Sequence, residues 1–321
     1  MAVDTAPEPI SDLTDPHTGT SDEPVPVVYL AGFGRSGSTL IGRLLGELPR
    51  VVFAGELNFF WSDALVAKRP CGCGVQIAEC PYWSKVLELL GPDVLAEAAE
   101  VGATLRGATR MRRGIVALAP TGSRQIDHRL DAVTGHIDRL YRAIATAFDA
   151  DVVVDSSKSL TYLRALARAQ GVSVRPMHIV RDPRAAAASW RTPKREAVGG
   201  VELPTFGVGR SSVEWSVSNL LALEACKHRR SALLRYEDFV TTPAEELTRA
   251  GVDLGFDFSA VPIRGGHAEL GVSHTVAGNP DRFAVGRVEI RPDERWRMGL
   301  SRSDRAVVRS LTAPVSRRLG Y

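Results

Sequence analysis

No stretch constrains this chain more than residues 25–45, Val-Pro-Val-Val-Tyr-Leu-Ala-Gly-Phe-Gly-Arg-Ser-Gly-Ser-Thr-Leu-Ile-Gly-Arg-Leu-Leu. A short apolar run over residues 27–31 meets Gly32, Gly34 and Gly37, then passes into residues 39–45, whose apolar side chains recur at helical spacing. The pattern predicts strand, glycine turn and helix. Backbone N–H groups can point inward from such a turn because no Cβ obstructs them, and the helix start adds a positive dipole end. Together these make an oxyanion cradle, whose natural guest is a phosphate.

The nucleotide-binding P-loop asks for Gly, four residues, Gly, Lys, then Ser or Thr, with the lysine reaching the β- and γ-phosphates. Gly32, Gly37 and Thr39 fit, but Ser38 stands in the lysine slot. A kinase or ATPase without that lysine lacks a main charge on the transferred group. The loop therefore reads as a holder of a nucleotide 5′-phosphate that performs no γ-phosphoryl chemistry. A glycine turn with no ligand is the simpler alternative.

The 321 residues suffice for one large domain with an ample core, and the hydrophobic and charged fractions, 44% and 24%, are ordinary for a soluble globular protein. No apolar run approaches a membrane span, and the N-terminus lacks the basic and apolar regions of a signal peptide. The chain is therefore expected to be cytoplasmic and not an integral membrane protein. Residues 1–24 carry six acidic residues and four prolines with no Lys or Arg, so they are expected to form a disordered acidic tail ahead of a folded domain over 25–321. That domain holds more than the whole net charge of +3, which suits a polyanionic ligand. Its basic residues are dispersed and no nucleic-acid motif accompanies them, so a small ligand is favoured over nucleic acid.

Along the chain, residues 51–53 read as a second strand running into Gly55-Glu56-Leu57-Asn58-Phe59-Phe60. A carboxylate at a strand end in an open α/β sheet points into the ligand crevice, which makes Glu56 a candidate base. A helix-start carboxylate favoured by the dipole is the alternative. Cys71, Cys73 and Cys80 could bind zinc or oxidise, but a closed zinc site needs a fourth ligand, and Cys226 and the histidines stand far off in sequence. A reduced, glycine-rich loop without metal is expected. Residues 91–150 look helical, most clearly over 129–148, where the apolar residues form one face.

A buried strand over 151–154 precedes Asp155-Ser156-Ser157-Lys158 and a helix over 159–170; another strand over 174–180 runs into Arg181-Asp182-Pro183. Asp182 as N-cap and Pro183 at the first turn start the next helix. Arg181 at the strand end and Ser189 two turns on would project into the crevice, where an arginine fork and a hydroxyl suit a second phosphate. A helix over 210–227, a strand over 232–236, a glycine- and arginine-bearing loop over 274–287 and helices over 293–300 and 301–311 complete the chain. Strands alternating with helices imply an α/β fold with a parallel, doubly wound sheet.

Gly34-Arg35-Ser36-Gly37-Ser38-Thr39-Leu40, Val180-Arg181-Asp182-Pro183 with Ser189, and Arg235-Tyr236-Glu237-Asp238 resemble the sulfotransferases that use 3′-phosphoadenosine 5′-phosphosulfate (PAPS). The tyrosylprotein and heparan sulfate sulfotransferases are especially similar around Arg35, Glu56 and Phe59-Phe60. The resemblance implies a single-domain P-loop-like fold with helices flanking a parallel sheet. It makes residues 34–40 the 5′-phosphosulfate loop, Arg181 and Ser189 the 3′-phosphate site, and Tyr236 a further cofactor contact. It also makes Glu56 the catalytic base, Lys158 the lysine near the leaving oxygen and Arg35 a further stabiliser of charge. Arg282, Gly286 and Arg287 fall in the place of the loop that wraps the cofactor, without the Arg-Lys-Gly pattern of the cytosolic enzymes. The implied activity is sulfonyl transfer, needing no metal, to a hydroxyl of a small-molecule, glycan or lipid acceptor. Two alternatives remain. One is a kinase or NTPase with Asp155 as magnesium ligand. The other is a nucleotide-binding protein without chemistry.

Overall fold

The computed structural model describes residues 23–109, 120–195, 198, 200 and 202–321. The expected acidic tail, but for Glu23 and Pro24, lies outside the described residues.

Ten strands are described: β1 (Val25–Gly32), β2 (Val51–Gly55), β3 (Val152–Asp155), β4 (Val172–Val180), β5 (Lys194–Arg195), β6 (Glu202–Leu203), β7 (Ala232–Arg235), β8 (Ile263–Arg264), β9 (His267–Leu270) and β10 (Gly286–Glu289). Five of them build a sheet in the order β2-β3-β1-β4-β7. Every neighbouring pair in it is parallel, with Val27 beside Val153 and Val174, and Met177 beside Ala232. β1 occupies the centre because both its faces are apolar. Val27, Tyr29 and Ala31 enter one core, Val28 and Leu30 the other.

The first core is covered by helices Pro81–Leu90, Val94–Thr109, Pro120–Phe148 and Leu160–Leu166, and the second by Ser38–Leu45 and Pro243–Leu254. Helices Pro183–Arg191, Val208–Cys226 and Arg302–Arg318 enclose a third cluster around Phe33, Val180 and Trp215. This is the parallel, helix-flanked sheet that the alternation of elements predicted. Pro176 sits inside β4, which a ladder on both sides would forbid. The pairing with β7 begins only at Met177, so the proline falls where that ladder has not yet started.

The last elements differ from expectation. Residues 293–300 are helical only over Trp296–Gly299, because Asp293 turns its carboxylate back onto Arg295. The final helix runs on to Arg318, beyond the expected end at 311. Pro314 lies inside it and removes a single rung without ending it. After β2 the chain makes a 3-10 turn (Leu57–Phe59) and a π-helical turn (Phe60–Val66), which seat Phe60 and Trp61 fully in the core.

Candidate active site

Parallel strands deliver their C-terminal ends to one edge of the sheet, and the chain's chemistry-bearing residues collect there. They line a cleft of about 860 Å³ that takes Gly34, Arg35, Gly37, Ser38, Thr39 and Leu40 from the glycine turn, together with Glu56, Lys158, Arg181, Ser189 and Tyr236.

The glycine turn follows β1. Gly37 caps helix Ser38–Leu45 with φ of 90°, a left-handed conformation that strains other residues, and a Cβ there would meet the Tyr236 ring at 2.5 Å. Beside it, Arg35 adopts φ of 69° and lays its guanidinium over Trp190, 5.0 Å from the ring centroid. Burial lowers the Arg35 pKa. Arg35 Nη1 and the Ser36 hydroxyl are buried with no hydrogen-bond partner among the described residues. Buried polar groups are rarely left so, and two together at a glycine turn are donors that an anion's oxygens can meet.

Glu56 and Lys158 lie far apart in sequence, but β2 and β3 are parallel neighbours with Gly55 beside Asp155. The next residues of each strand end therefore converge. Lys158 Nζ donates to Glu56 Oε1 at 2.7 Å and to the Ser156 carbonyl, with both side chains mostly buried. Lys158 reaches this position from a left-handed backbone, φ 59°. The Glu56 N–H donates to Val276 O, and Val276 N–H returns a bond to Ala54 O. A Cβ at Gly55 would lie 2.2 Å from that Val276 carbonyl, so only glycine admits the extended segment around Val276 so close.

At the end of β4, Asp182 caps helix Pro183–Arg191 and accepts from the Arg184 N–H, with Pro183 in the first turn, as the sequence predicted. Arg181 is buried against the Tyr236 ring at 4.5 Å, donates to Arg35 O at 3.0 Å, and meets Asp293 Oδ2 at 3.0 Å. Its Nε has no partner. Hydrogen bonds from Arg295 and then from Arg181 hold the Asp293 carboxyl well below the usual range. Arg181 is therefore already balanced by an acid.

Asp155 is not in the cleft. It is fully buried, accepting from Tyr141 and from both the N–H and hydroxyl of Ser157, and burial pushes its carboxyl up to about 6. The kinase alternative loses its magnesium ligand by this placement.

The loop over 274–287 reaches the cleft through Ala277, Gly278, Asn279 and Asp281, and residues 291–295 follow it in. Sequence reasoning did not single out these residues. Arg282 lies inside, its guanidinium bonded to Thr275 O at 2.8 Å and Pro70 O at 3.1 Å. Gly286 and Arg287 belong to β10, paired with β9, and neither lines the cleft. Arg43, on the buried face of helix Ser38–Leu45, ties the same loop down by donating to Asp281 O, Ala284 O and Gly271 O. The cysteines are free, as expected of a reduced loop, and His274, far off in sequence, stands beside Cys71, Cys73 and Cys80 as a fourth ligand type that sequence proximity did not show.

No protein-family model matches the chain, and no curated protein matches it in sequence. Among solved structures, the sulfotransferase domain of the curacin biosynthetic pathway superposes with a TM-score of 0.52 at 15% identity, covering 93% of this chain and 98% of that one. The sulfotransferase domain of the Synechococcus PCC 7002 olefin synthase gives 0.44 at 18% identity over 92% and 96% of the two chains. A sulfotransferase from Mycobacterium avium gives 0.44 at 13% identity over 94% and 77%. At the first of these values the chain has the fold of a sulfotransferase domain.

Proposed function

We propose that the chain transfers a sulfonyl group from PAPS to a hydroxyl of a small-molecule, glycan or lipid acceptor. The observation that carries this reading is the Glu56–Lys158 contact at 2.7 Å in the same cleft as the glycine turn and Arg181. A nucleotide-binding protein without chemistry has no use for an acid and a cation held together at that place.

The unpartnered Arg35 Nη1 and Ser36 hydroxyl, with the N–H groups of the turn, fit the 5′-phosphosulfate. The Arg181 fork and Ser189 fit the 3′-phosphate, with Tyr236 packed between the two sites. When bound, PAPS supplies an electrophilic sulfur: the acceptor oxygen bonds to it as the bond to the phosphate oxygen breaks, and adenosine 3′,5′-bisphosphate leaves. Glu56 takes the hydroxyl proton as attack develops. Lys158 and Arg35 stabilise negative charge on the sulfonyl and leaving oxygens, so alignment and electrostatics carry the rate, as in phosphoryl transfer. Gly278 and Asn279 border the nucleotide, and Arg282 serves it at one remove by holding their loop.

The test is incubation of the full chain with PAPS and a panel of sugar, lipid and small-molecule hydroxyls, read by mass. Addition of one sulfonyl group to an acceptor, with release of adenosine 3′,5′-bisphosphate, is expected. Magnesium-dependent ATP turnover instead would establish a kinase or NTPase. Tight bisphosphate binding with no transfer to any acceptor class would leave only a nucleotide-binding protein.

A further inference from the structure

Cys71 and Cys73 belong to a tight turn. Cys71 N–H donates to Val75 O, Gly74 N–H returns to Cys71 O, and Gly74 adopts φ of 93°. Cys80 sits directly before helix Pro81–Leu90, whose dipole favours a thiolate there. His274 arrives from the other end of the chain. Its carbonyl accepts from Trp83 Nε1 at 2.7 Å, and its ring packs against Tyr82 with centroids 4.6 Å apart. The backbone beside it is fastened to the same turn, Gly72 N–H donating to Thr275 O at 2.9 Å.

These elements put three sulfurs and the imidazole Nδ1 within 4.8 Å of one another, with Cys80 Sγ 3.2 Å and Cys71 Sγ 4.0 Å from Nδ1. A tetrahedral zinc with Zn–S near 2.3 Å and Zn–N near 2.0 Å spaces its ligand atoms roughly 3.5 to 3.8 Å apart. The cluster therefore needs only small rotamer adjustments to close on an ion. A disulfide would join two of the sulfurs and leave the imidazole and the third thiol without purpose.

We propose that Cys71, Cys73, Cys80 and His274 hold one structural zinc ion. Three thiolates and an imidazole are a soft, four-ligand set that fits zinc and leaves no open position for substrate. None of the four lines the cleft. On binding, the three thiols release their protons to solvent and the imidazole keeps its Nε2 proton. The ion clamps the turn of residues 71–74 to His274. Through Thr275 and Val276 it fixes the segment that hydrogen-bonds Ala54 and Glu56.

The test uses the full chain, expressed with zinc supplied and purified without chelator, and it does not depend on any activity. Elemental analysis is expected to give one zinc per chain. Cobalt exchange is expected to give the intense visible bands of a tetrahedral site together with thiolate charge transfer. The control Cys226→Ser should keep the full metal content, and His274→Cys, which preserves four ligands, should keep it too. Cys73→Ser should weaken retention against a chelator at least tenfold. Zinc well below one per chain, four freely reacting thiols unaffected by added zinc, or a Cys71–Cys80 disulfide found by mass would each overturn the proposal. A cobalt spectrum without thiolate charge transfer would do the same for the wild-type chain, whatever the variants' folding.

Discussion

The cleft has two walls of different construction. One is made of strand ends: the turn after β1, Glu56 after β2, Lys158 after β3 and Arg181 after β4, each held by the ladder that precedes it. The other is draped, residues 277–281 and 291–295: one backbone bridge at Val276 ties it to the sheet, and beyond that it is held by side chains elsewhere, Arg43 on the Asp281 carbonyl, Arg282 bridging to Pro70, and His274 among the cysteines. A strand end is positioned by many cooperative hydrogen bonds, so a point change there alters chemistry before it alters structure. A draped wall hangs on one backbone bridge and a few long side chains. A point change far from the cleft can move it.

The largest expected effect falls on the strand-end wall. Glu56→Gln keeps size and hydrogen-bonding reach but removes the proton acceptor. Transfer to an acceptor of high pKa, such as a sugar alcohol, should slow by roughly 10²- to 10⁴-fold, with PAPS affinity nearly unchanged. Lys158→Ala should slow transfer and weaken PAPS as well. Single-turnover transfer at wild-type rate in Glu56→Gln would return this residue to a helix-start carboxylate.

Arg181→Ala comes next. Losing a desolvated charge-assisted fork should weaken adenosine 3′,5′-bisphosphate by about 2 to 5 kcal/mol, and Ser189→Ala by about 1 kcal/mol. Calorimetry reads both, and equal affinity of wild type and Arg181→Ala would remove the second phosphate site. The Asp293 carboxylate already in contact with Arg181 sharpens the reading. The anion must displace or share that partner, so part of its attraction is offset before it arrives.

On the draped wall, Arg43→Met removes donors to three carbonyls while keeping much of the apolar stem. It should cost about 2 to 4 kcal/mol in chemical denaturation, with losses of affinity and turnover that follow the loop. If Arg43→Met slowed transfer as much as Glu56→Gln at unchanged stability, the contrast between the walls would collapse.

An effect that emerges only as pH changes probes the footing of the strand-end wall at Asp155. Burial raises this carboxyl from 3.8 to about 6, so the folded state binds its proton more tightly than the unfolded state does. Its contribution is fully present below about pH 3.8 and is lost as pH rises through 6, a change of up to roughly 3 kcal/mol. Denaturation of wild type and Asp155→Asn at pH 4 and pH 7 should show the wild type losing ground to the variant as pH rises. A constant difference would mean that the Tyr141 and Ser157 donors fully offset the burial.

The glycine turn was legible because everything it needs is contiguous: apolar run, glycines, helix. Glu56 and Arg181 were legible as strand ends because a parallel sheet brings such ends to one edge whatever their order, whereas Lys158 was singled out only by the resemblance. Their pairings were not. Nothing in the sequence shows that β2 lies beside β3, and the Glu56–Lys158 contact depends on that. The draped wall was legible only as a glycine- and arginine-bearing loop; how it is held was not, since Arg43, His274 and Arg282 act on partners remote in sequence. The last helix ran past its expected end at 311 because a helix packed along its length tolerates the one rung missing at Pro314.

The order of the chain gives Gly55 a temporal meaning. The parallel sheet is complete once Arg235 has been made, whereas the segment that approaches Gly55 through Val276 is synthesised later. The strand-end rim therefore precedes in the chain the residues, 277–281 and 291–295, that turn an open edge of the sheet into a cleft with two sides.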